Sequence, residues 1–309
     1  MNSRSSISSV PFDLYWKFAT KFPGLFRKVS DKKHLRILYK SQFGKYPNLE
    51  NPQSYNEKIQ WLKLHDRKSW YPVVVDKMRA KGWASERIGS EYIVPTYQSW
   101  ASAWDIDISH LPDRFVLKTN HDCGGVVICH DKTSFDLGRA RKFLGKHLNH
   151  DYYLLRREWP YSQVKRCVFA EEYIEPDSCD DGDDLPDYKV LCFGGKARFI
   201  ELHSGRMRKR AHTQDLYTPD WQLLPIVWDM PMSGRVSKRP DRLDEMLTCS
   251  ETLSRDFEHV RIDWFESGGH LLLGEITLYD GAGFSPFENQ QDDLDFGALI
   301  DLSKVTADC

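Results

Sequence analysis

The chain has 309 residues, of which 40% are hydrophobic and 13% aromatic, and 43 basic against 45 acidic residues give a formal charge of -2. That apolar content with so balanced a charge excludes a disordered chain, and bulk charge points to no polyanionic partner such as nucleic acid. Seven cysteines, an odd number without a C-x-x-C pair, fit free thiols in a reducing cytoplasm better than a disulfide framework or a zinc knuckle.

The opening is aromatic and dotted with lysines: Phe12, Tyr15, Trp16, Phe18 and Phe22. It reads as a helix packed on the body, with peripheral contact at the inner face of the cell membrane as the alternative. It lacks the apolar run of a signal peptide, and no stretch approaches the roughly 18 apolar residues of a membrane span, so a cytoplasmic protein is expected. Pro52 and Ser54 are start signals for a helix over 56–64 that puts Ile59, Leu62 and, more loosely, Lys63 on one side. Residues 1–70 are therefore expected to form a helical extension.

From residue 72 the texture changes. Val73-Val74-Val75-Asp76-Lys77 runs into a polar helix, and short β-rich runs follow at 115–118, 125–129, 168–170, 189–193 and 198–202. Helical segments intervene near 136–149 and 241–256. Strands that close as hairpins with interspersed helices predict an α+β architecture rather than a doubly wound parallel sheet. An acidic loop, 177–184, contains Asp181-Gly-Asp183, the D-x-D form by which glycosyltransferases hold a metal and a sugar nucleotide. A solvated charge run is its ordinary explanation.

Four constellations carry chemistry. The first spans Val260 to Thr277, two β-like runs around Gly268-Gly269. A two-residue turn there pairs Asp263 with Gly274 and sends Glu275 to the other face. A three-residue loop instead pairs Asp263 with Glu275 and Arg261 with Thr277, all on one face. Two close carboxylates call for a cation between them, and oxygen ligands suit Mg²⁺ with substrate phosphates. In the second, a strand delivers Lys118 to a loop ending in Gly124-Gly125, whose backbone N–H groups can approach phosphate while the lysine supplies charge. Neither the Walker spacing nor G-x-G-x-x-G is present. The third, Ala170-Glu171-Glu172-Tyr173-Ile174, suits an adenine-binding connector. The fourth joins Asp187 and Lys189, across a Gly194-Gly195 turn, to the basic run Arg206, Arg208, Arg210; Arg206 is the preferred anion ligand.

Taken in order, these segments resemble the TupA-like ATP-grasp family of polysaccharide biosynthesis, within the ATP-grasp superfamily. The likeness runs from Tyr39-Lys-Ser-Gln-Phe-Gly through Asn56-Glu-Lys-Ile-Gln-Trp-Leu, Asp76-Lys77, Phe115-Val-Leu-Lys118, Ala170-Glu-Glu-Tyr and Asp187-Tyr-Lys189 to Gly274-Glu275-Ile-Thr277. The resemblance implies an ATP-grasp fold over 71–309, with N-terminal and lid subdomains in 71–170 and a catalytic subdomain in 171–309 clamping ATP. By position it implies Lys118 at the α/β phosphates and Gly124 and Gly125 in the covering loop, with Lys77 as a further phosphate ligand. Glu171, Glu172 and Ile174 match the adenine hinge, and Asp187 the ribose acid. Lys189 and Arg206 face the γ-phosphate and the reacting carboxylate, with Arg261 a third catalytic group. Asp263, Glu275 and Thr277 match the ligands of Mg²⁺, although many superfamily members carry asparagine at the last position. The implied chemistry is an ATP-dependent carboxylate–amine ligation through an acyl phosphate.

Overall fold

The computed structural model of the chain describes residues 23–177, 185–205 and 212–305. The aromatic opening, Asp181-Gly-Asp183 and Arg206 lie outside the described residues. Two antiparallel sheets carry the structure. The smaller has order β1-β4-β2-β3, from β1 (Thr96–Trp100), β2 (Phe115–Thr119), β3 (Val126–Cys129) and β4 (Val168–Glu172). The larger has order β10-β9-β5-β6-β7-β8, from β5 (Asp187–Phe193), β6 (Lys196–Ser204), β7 (Thr213–Tyr217), β8 (Leu223–Leu224), β9 (His259–Ser267) and β10 (His270–Thr277). The expected α+β, hairpin-linked architecture is what forms.

The alternation of residue types along the strands explains the layering. In the larger sheet Val190 stands opposite Ile200 on one side and Ile262 on the other, and Ile262 opposite Ile276. These four are fully or almost fully buried and form an apolar row. Helix α5 (Leu243–Ser254) packs on β5, β6 and β9, and the Trp264 indole donates to the Ser250 hydroxyl at 2.8 Å. Directly opposed residues point the same way, so the residues between these apolar ones gather on the other face. The smaller sheet repeats the arrangement: Phe115, Leu117, Val168 and Ala170 bury one face against Ala140 and Leu144 of α4 (Leu137–Leu148).

The N-terminal helices are not peripheral to this core. Helix α1 (Asp31–Phe43) precedes α2 (Tyr55–His65), which starts where Ser54 accepts a hydrogen bond from the Glu57 N–H. Tyr55, Ile59 and Leu62 join the core of the larger sheet. Lys63 is fully buried with them, its ammonium donating to the carbonyls of Ala282 (2.6 Å) and Arg156 (3.0 Å). Helix α3 (Arg79–Ile88) connects to the smaller sheet, and α6 (Gln290–Ala298) returns to cross the start of α2.

That crossing depends on Gly297, where a Cβ would stand 2.1 Å from the Gln53 carbonyl oxygen and 2.7 Å from the Tyr55 nitrogen. Both obstacles are backbone and cannot rotate aside. Gly297→Ala is expected to destabilise the fold by about 3 kcal/mol or more, lowering the urea midpoint with an unchanged slope. A wild-type midpoint contradicts the crossing.

A second test lies at Tyr55. The His259 Nδ1 donates to the Cys192 carbonyl at 3.0 Å, leaving Nε2 to accept from the Tyr55 hydroxyl at 2.8 Å. Burial pushes the imidazole down to about 4, against the opposing pull of Asp280. Because the folded value lies below the usual 6.5, the neutral ring's contribution is complete above pH 6.5 and is lost as pH falls through 4. Histidine NMR titration should find this ring uncharged at pH 5; an apparent pKa above 6 contradicts the burial argument.

Candidate functional site

The polar face of the larger sheet holds a row of four ionisable residues. Glu275 on β10 opposes Asp263 on β9, Asp263 opposes Lys189 on β5, and Lys189 opposes Glu201 on β6. The register between β9 and β10 combines the two sequence expectations. The turn is the two-residue one: Ser267 pairs with His270, and both Gly268 (φ 57°) and Gly269 (φ 73°) are left-handed. Yet Asp263 pairs with Glu275, because Gly274 enters β10 as an extra residue, a β-bulge between Leu273 and Glu275. Trp264 and Leu273 stay on the core side while Glu275 and Thr277 move onto the face of Asp263 and Arg261.

The electrostatics of this face are tightly balanced. Asp263 is 4% exposed and accepts from Lys189 Nζ at 2.5 Å and from Arg261 Nε at 2.7 Å. Burial alone would raise its pKa, but Arg261 and Lys189 outweigh burial and hold the carboxyl well below the usual range. Lys189 also meets Asp187 at 2.9 Å, and despite burial Asp263 keeps its ammonium above the ordinary lysine value. Arg261 reaches further, pairing with Asp280 and donating to the Thr277 hydroxyl at 3.2 Å. Glu201 is also fully buried; burial first, and then Asp280, raises it far above a normal glutamate. His203 Nε2 lies 3.3 Å from its carboxyl.

The smaller sheet presents a different surface. Opposed pairs place Val116, Lys118, Val126, Ile128, Phe169 and Glu171 on the face away from α4. Lys118 and Lys81, the latter from α3, both pair with Glu171, Lys81 at 2.7 Å. Against its own burial these two cations keep the Glu171 carboxyl low. Beside them Val126 (40%) and Ile128 (38%) are exposed, an apolar strip next to two lysines. Glu172 is exposed, its N–H donating to the Pro95 carbonyl at 3.0 Å, and Ile174 is half-buried just beyond.

Between β2 and β3 runs the loop 120–125. Asn120 anchors it: its amide nitrogen donates to Asp76 and to the Lys165 carbonyl, both at 3.0 Å, and its oxygen accepts from the Cys167 N–H at 2.8 Å. Gly124 is left-handed (φ 87°), and at Gly125 a Cβ would lie 1.9 Å from the Thr119 hydroxyl. Both glycines are therefore required by the path of the chain.

Lys77 joins the two sheets. Its N–H donates to the Asn120 carbonyl at 3.0 Å, and its ammonium reaches the Asp122 carbonyl at 2.8 Å and the Glu275 carboxylate at 3.1 Å. Burial opposes the charge, yet Glu275 raises the lysine above its usual value. The glycine loop of one sheet and the paired carboxylates of the other thus meet at one ammonium, beside a crevice lined by Val74, Lys77, Lys81, Gly274 and Glu275. A wider surface depression is lined by Asp177, Asp241, Arg242, Asp244, Glu245 and Glu266. Five carboxylates around one arginine do not suit phosphate.

A lysine-bearing strand, a glycine loop and a distant acid hairpin, converging in that chain order, are matched by a family model of TupA-like ATP-grasp proteins over residues 57–301. The chain belongs to the TupA-like ATP-grasp family. Among solved structures it is similar to D-alanine–D-alanine ligase from Bacillus anthracis complexed with ATP, at 17% identity and TM-score 0.37 over 67% of this chain and 55% of that one. It is also similar to the ADP complex of PurK, N5-carboxyaminoimidazole ribonucleotide synthetase, at 15% identity and TM-score 0.43 over 72% and 50%. For L-amino acid ligase from Bacillus licheniformis the values are 13% and 0.43 over 74% and 49%. This ATP-grasp chain spans about half the length of each of these structures. A comparison with curated proteins gave no match. No helix among the described residues is long and apolar enough to cross a membrane.

Of the sequence-derived candidates, Lys118 and Glu171 fall on the polar face of the smaller sheet, Asp187, Lys189, Arg261, Asp263, Glu275 and Thr277 on that of the larger, Gly124 and Gly125 in the loop 120–125, and Lys77 just before α3. Three participants escaped the sequence reading. Lys81 sits one helical turn beyond Lys77; Asp280 follows β10; and Glu201 stands between Ile200 and Leu202. For Glu201 the alternation of β6 was the available signal.

Proposed function

We propose that this ATP-grasp protein binds Mg-ATP between its two sheets and ligates a carboxylate to an amine. The carrying observation is that Lys77 bonds at once to the glycine loop and to Glu275, in register with Asp263. The donor set suits the ion: Asp263, Glu275 and the Thr277 hydroxyl offer only oxygen, on facing strands, as Mg²⁺ requires. Bound there, Mg²⁺ would neutralise phosphate charge.

The chain's own residues supply the remainder. Lys118 and Lys77 are assigned to the phosphates, with Gly124 and Gly125 covering them. The backbone of Glu172 and Ile174 is assigned to the adenine edge, the Val126–Ile128 strip to its face, and Asp187 to the ribose. Lys189, Arg261 and Arg206 hold the γ-phosphate and the substrate carboxylate in line. A carboxylate oxygen attacks the γ-phosphorus and ADP leaves. The amine then attacks the resulting acyl phosphate, releasing phosphate and a proton. Such transfer needs alignment and charge neutralisation more than a protein nucleophile, which matches the residues gathered here. The TupA-like family membership supports a place in surface polysaccharide biosynthesis, joining an amino acid to a sugar acid or to another amino acid.

Mg-ATP or a non-hydrolysable analogue at a hundredfold excess over Kd should stabilise the protein by about 2.7 kcal/mol, read as a rise in Tm. ADP release in the presence of amino acids and uronic acids then identifies the substrates. Stabilisation by a UDP- or GDP-sugar with none by Mg-ATP would replace this reading with the glycosyltransferase that Asp181-Gly-Asp183 permits.

A further inference from the structure

The glycine loop also carries a cluster of side chains able to ligate a metal, apart from the Lys77–Glu275 contact. Asp122, His147 and His150 bring one carboxylate oxygen and two imidazole nitrogens within 4.8 Å of one another. The three arrive from different places: Asp122 from the loop, His147 from the last turn of α4, and His150 two residues past its end. His147 Nδ1 lies 2.5 Å from Asp122 Oδ2, and His150 Nδ1 lies 3.9 Å from the same oxygen.

The geometry points to a zinc-class divalent ion held by Asp122, His147 and His150, with water completing the coordination. Two imidazoles and a carboxylate suit Zn²⁺ and its neighbours, whereas Mg²⁺ prefers oxygen alone. The site is therefore chemically distinct from the Asp263–Glu275 pair. On a tetrahedral ion with bonds of about 2.0 Å, two ligand atoms stand roughly 3.3 Å apart. The 2.5 Å and 3.9 Å separations from the Asp122 oxygen bracket that value, so small side-chain shifts bring each imidazole nitrogen to binding distance of an ion held by that carboxylate.

Supporting groups are already in place. The second Asp122 oxygen accepts from the Thr119 hydroxyl, which orients the carboxylate as an outer-shell partner does. The His150 N–H donates to the His147 carbonyl at 3.0 Å, fixing the two histidines relative to one another, and the His150 carbonyl accepts from His121 Nε2 at 3.2 Å. The carbonyl end of α4 favours a cation nearby. The adjacent Arg166 is committed elsewhere, to the Leu148 carbonyl and to Asp151.

The ion would pin the loop to α4. A Cβ on Gly124 would stand 3.9 Å from His147 Cε1, so the ring lies against the glycine segment itself. Metal binding would fix Gly124-Gly125 against α4. Binding of the metal does not rest on the nucleotide reading, and the two fail by different measurements.

The test uses the full chain freed of metal by chelation, with ZnCl₂ titrated calorimetrically and Co²⁺ as a spectroscopic probe. One equivalent of Zn²⁺ is expected, with the intense visible bands of four-coordinate Co²⁺. His150→Ala, at an exposed side chain that leaves the His147–Asp122 bond intact, should weaken binding roughly ten- to a hundredfold and abolish those bands. Asp122→Asn should do the same. A His150→Ala protein that binds Zn²⁺ as the wild type does, or a wild type that binds none at micromolar concentration, overturns the proposal: the His147–Asp122 contact is then a simple ion pair.

Discussion

Glu275→Gln is expected to lower ATP turnover by about a thousandfold while the protein keeps nearly all of its stability. The Glu275 side chain is 30% exposed and pairs with Lys77 at 3.1 Å. Glutamine keeps an oxygen that can accept from the Lys77 ammonium, which also holds the Asp122 carbonyl, so the change costs about 1 kcal/mol. The amide cannot carry the charge that a divalent ion needs, and removing one such preorganised group from a water-poor site costs about two to three orders of magnitude in kcat. Asp263→Asn should be as inactive but for mixed reasons. Its carboxylate offsets Lys189 and Arg261 together, and neutralising it leaves these two buried cations with Asp187 and Asp280 alone, a loss of about 3 kcal/mol. Steady-state ADP release and urea unfolding of both variants separate the effects. Wild-type turnover in Glu275→Gln discards the metal assignment outright. An inactive Asp263→Asn protein alone would not establish it, because unfolding could account for the loss.

The contrast between these carboxylates also shows what the sequence could and could not reveal. Residue types and their order were legible: an alternating strand with Asp263 and Arg261, a glycine turn, and a second strand with Glu275 and Thr277. So were the strands around Lys118 and Lys189, because each is a compact apolar run interrupted by one charge. The partners of those charges were not legible, since pairing across a sheet is a long-range property. Lys81 looks like any lysine on a polar helix, and its importance comes from Glu171, 90 residues later. Strand β1 escaped because four of its five residues are exposed and offer no buried alternation. Lys63 was placed on the apolar side only loosely, yet it is wholly buried, because backbone carbonyls from 156 and 282 converge on it. The cluster at Asp122, His147 and His150 spans 29 positions without any standard ligand spacing, so only the fold assembles it.

The choice between the two hairpin registers turned on one glycine, and this gives the second large expected effect. Gly274→Ala should abolish Mg-ATP binding as read by thermal shift, because the bulge that turns Glu275 toward Asp263 has no room for a methyl group. A Cβ at this position would lie 2.8 Å from Phe265 Cε2 and 3.3 Å from the Asp263 carbonyl oxygen. The phenyl ring can move at a cost, but the carbonyl belongs to the neighbouring strand. The strand then has two options. It can keep the bulge with strain of about 1–3 kcal/mol. Or it can slip by one residue, which pairs Asp263 with position 274 and sends Glu275 to the apolar face. Either outcome lowers the urea midpoint, and the slip also parts the two carboxylates. Gly269→Asn is the matched control in the same hairpin, since its left-handed φ of 73° suits asparagine and nothing lies within 4 Å of an added Cβ. That variant should bind Mg-ATP like the wild type. If Gly274→Ala does so too, the carboxylate pairing does not depend on the bulge, and the register argument fails with it.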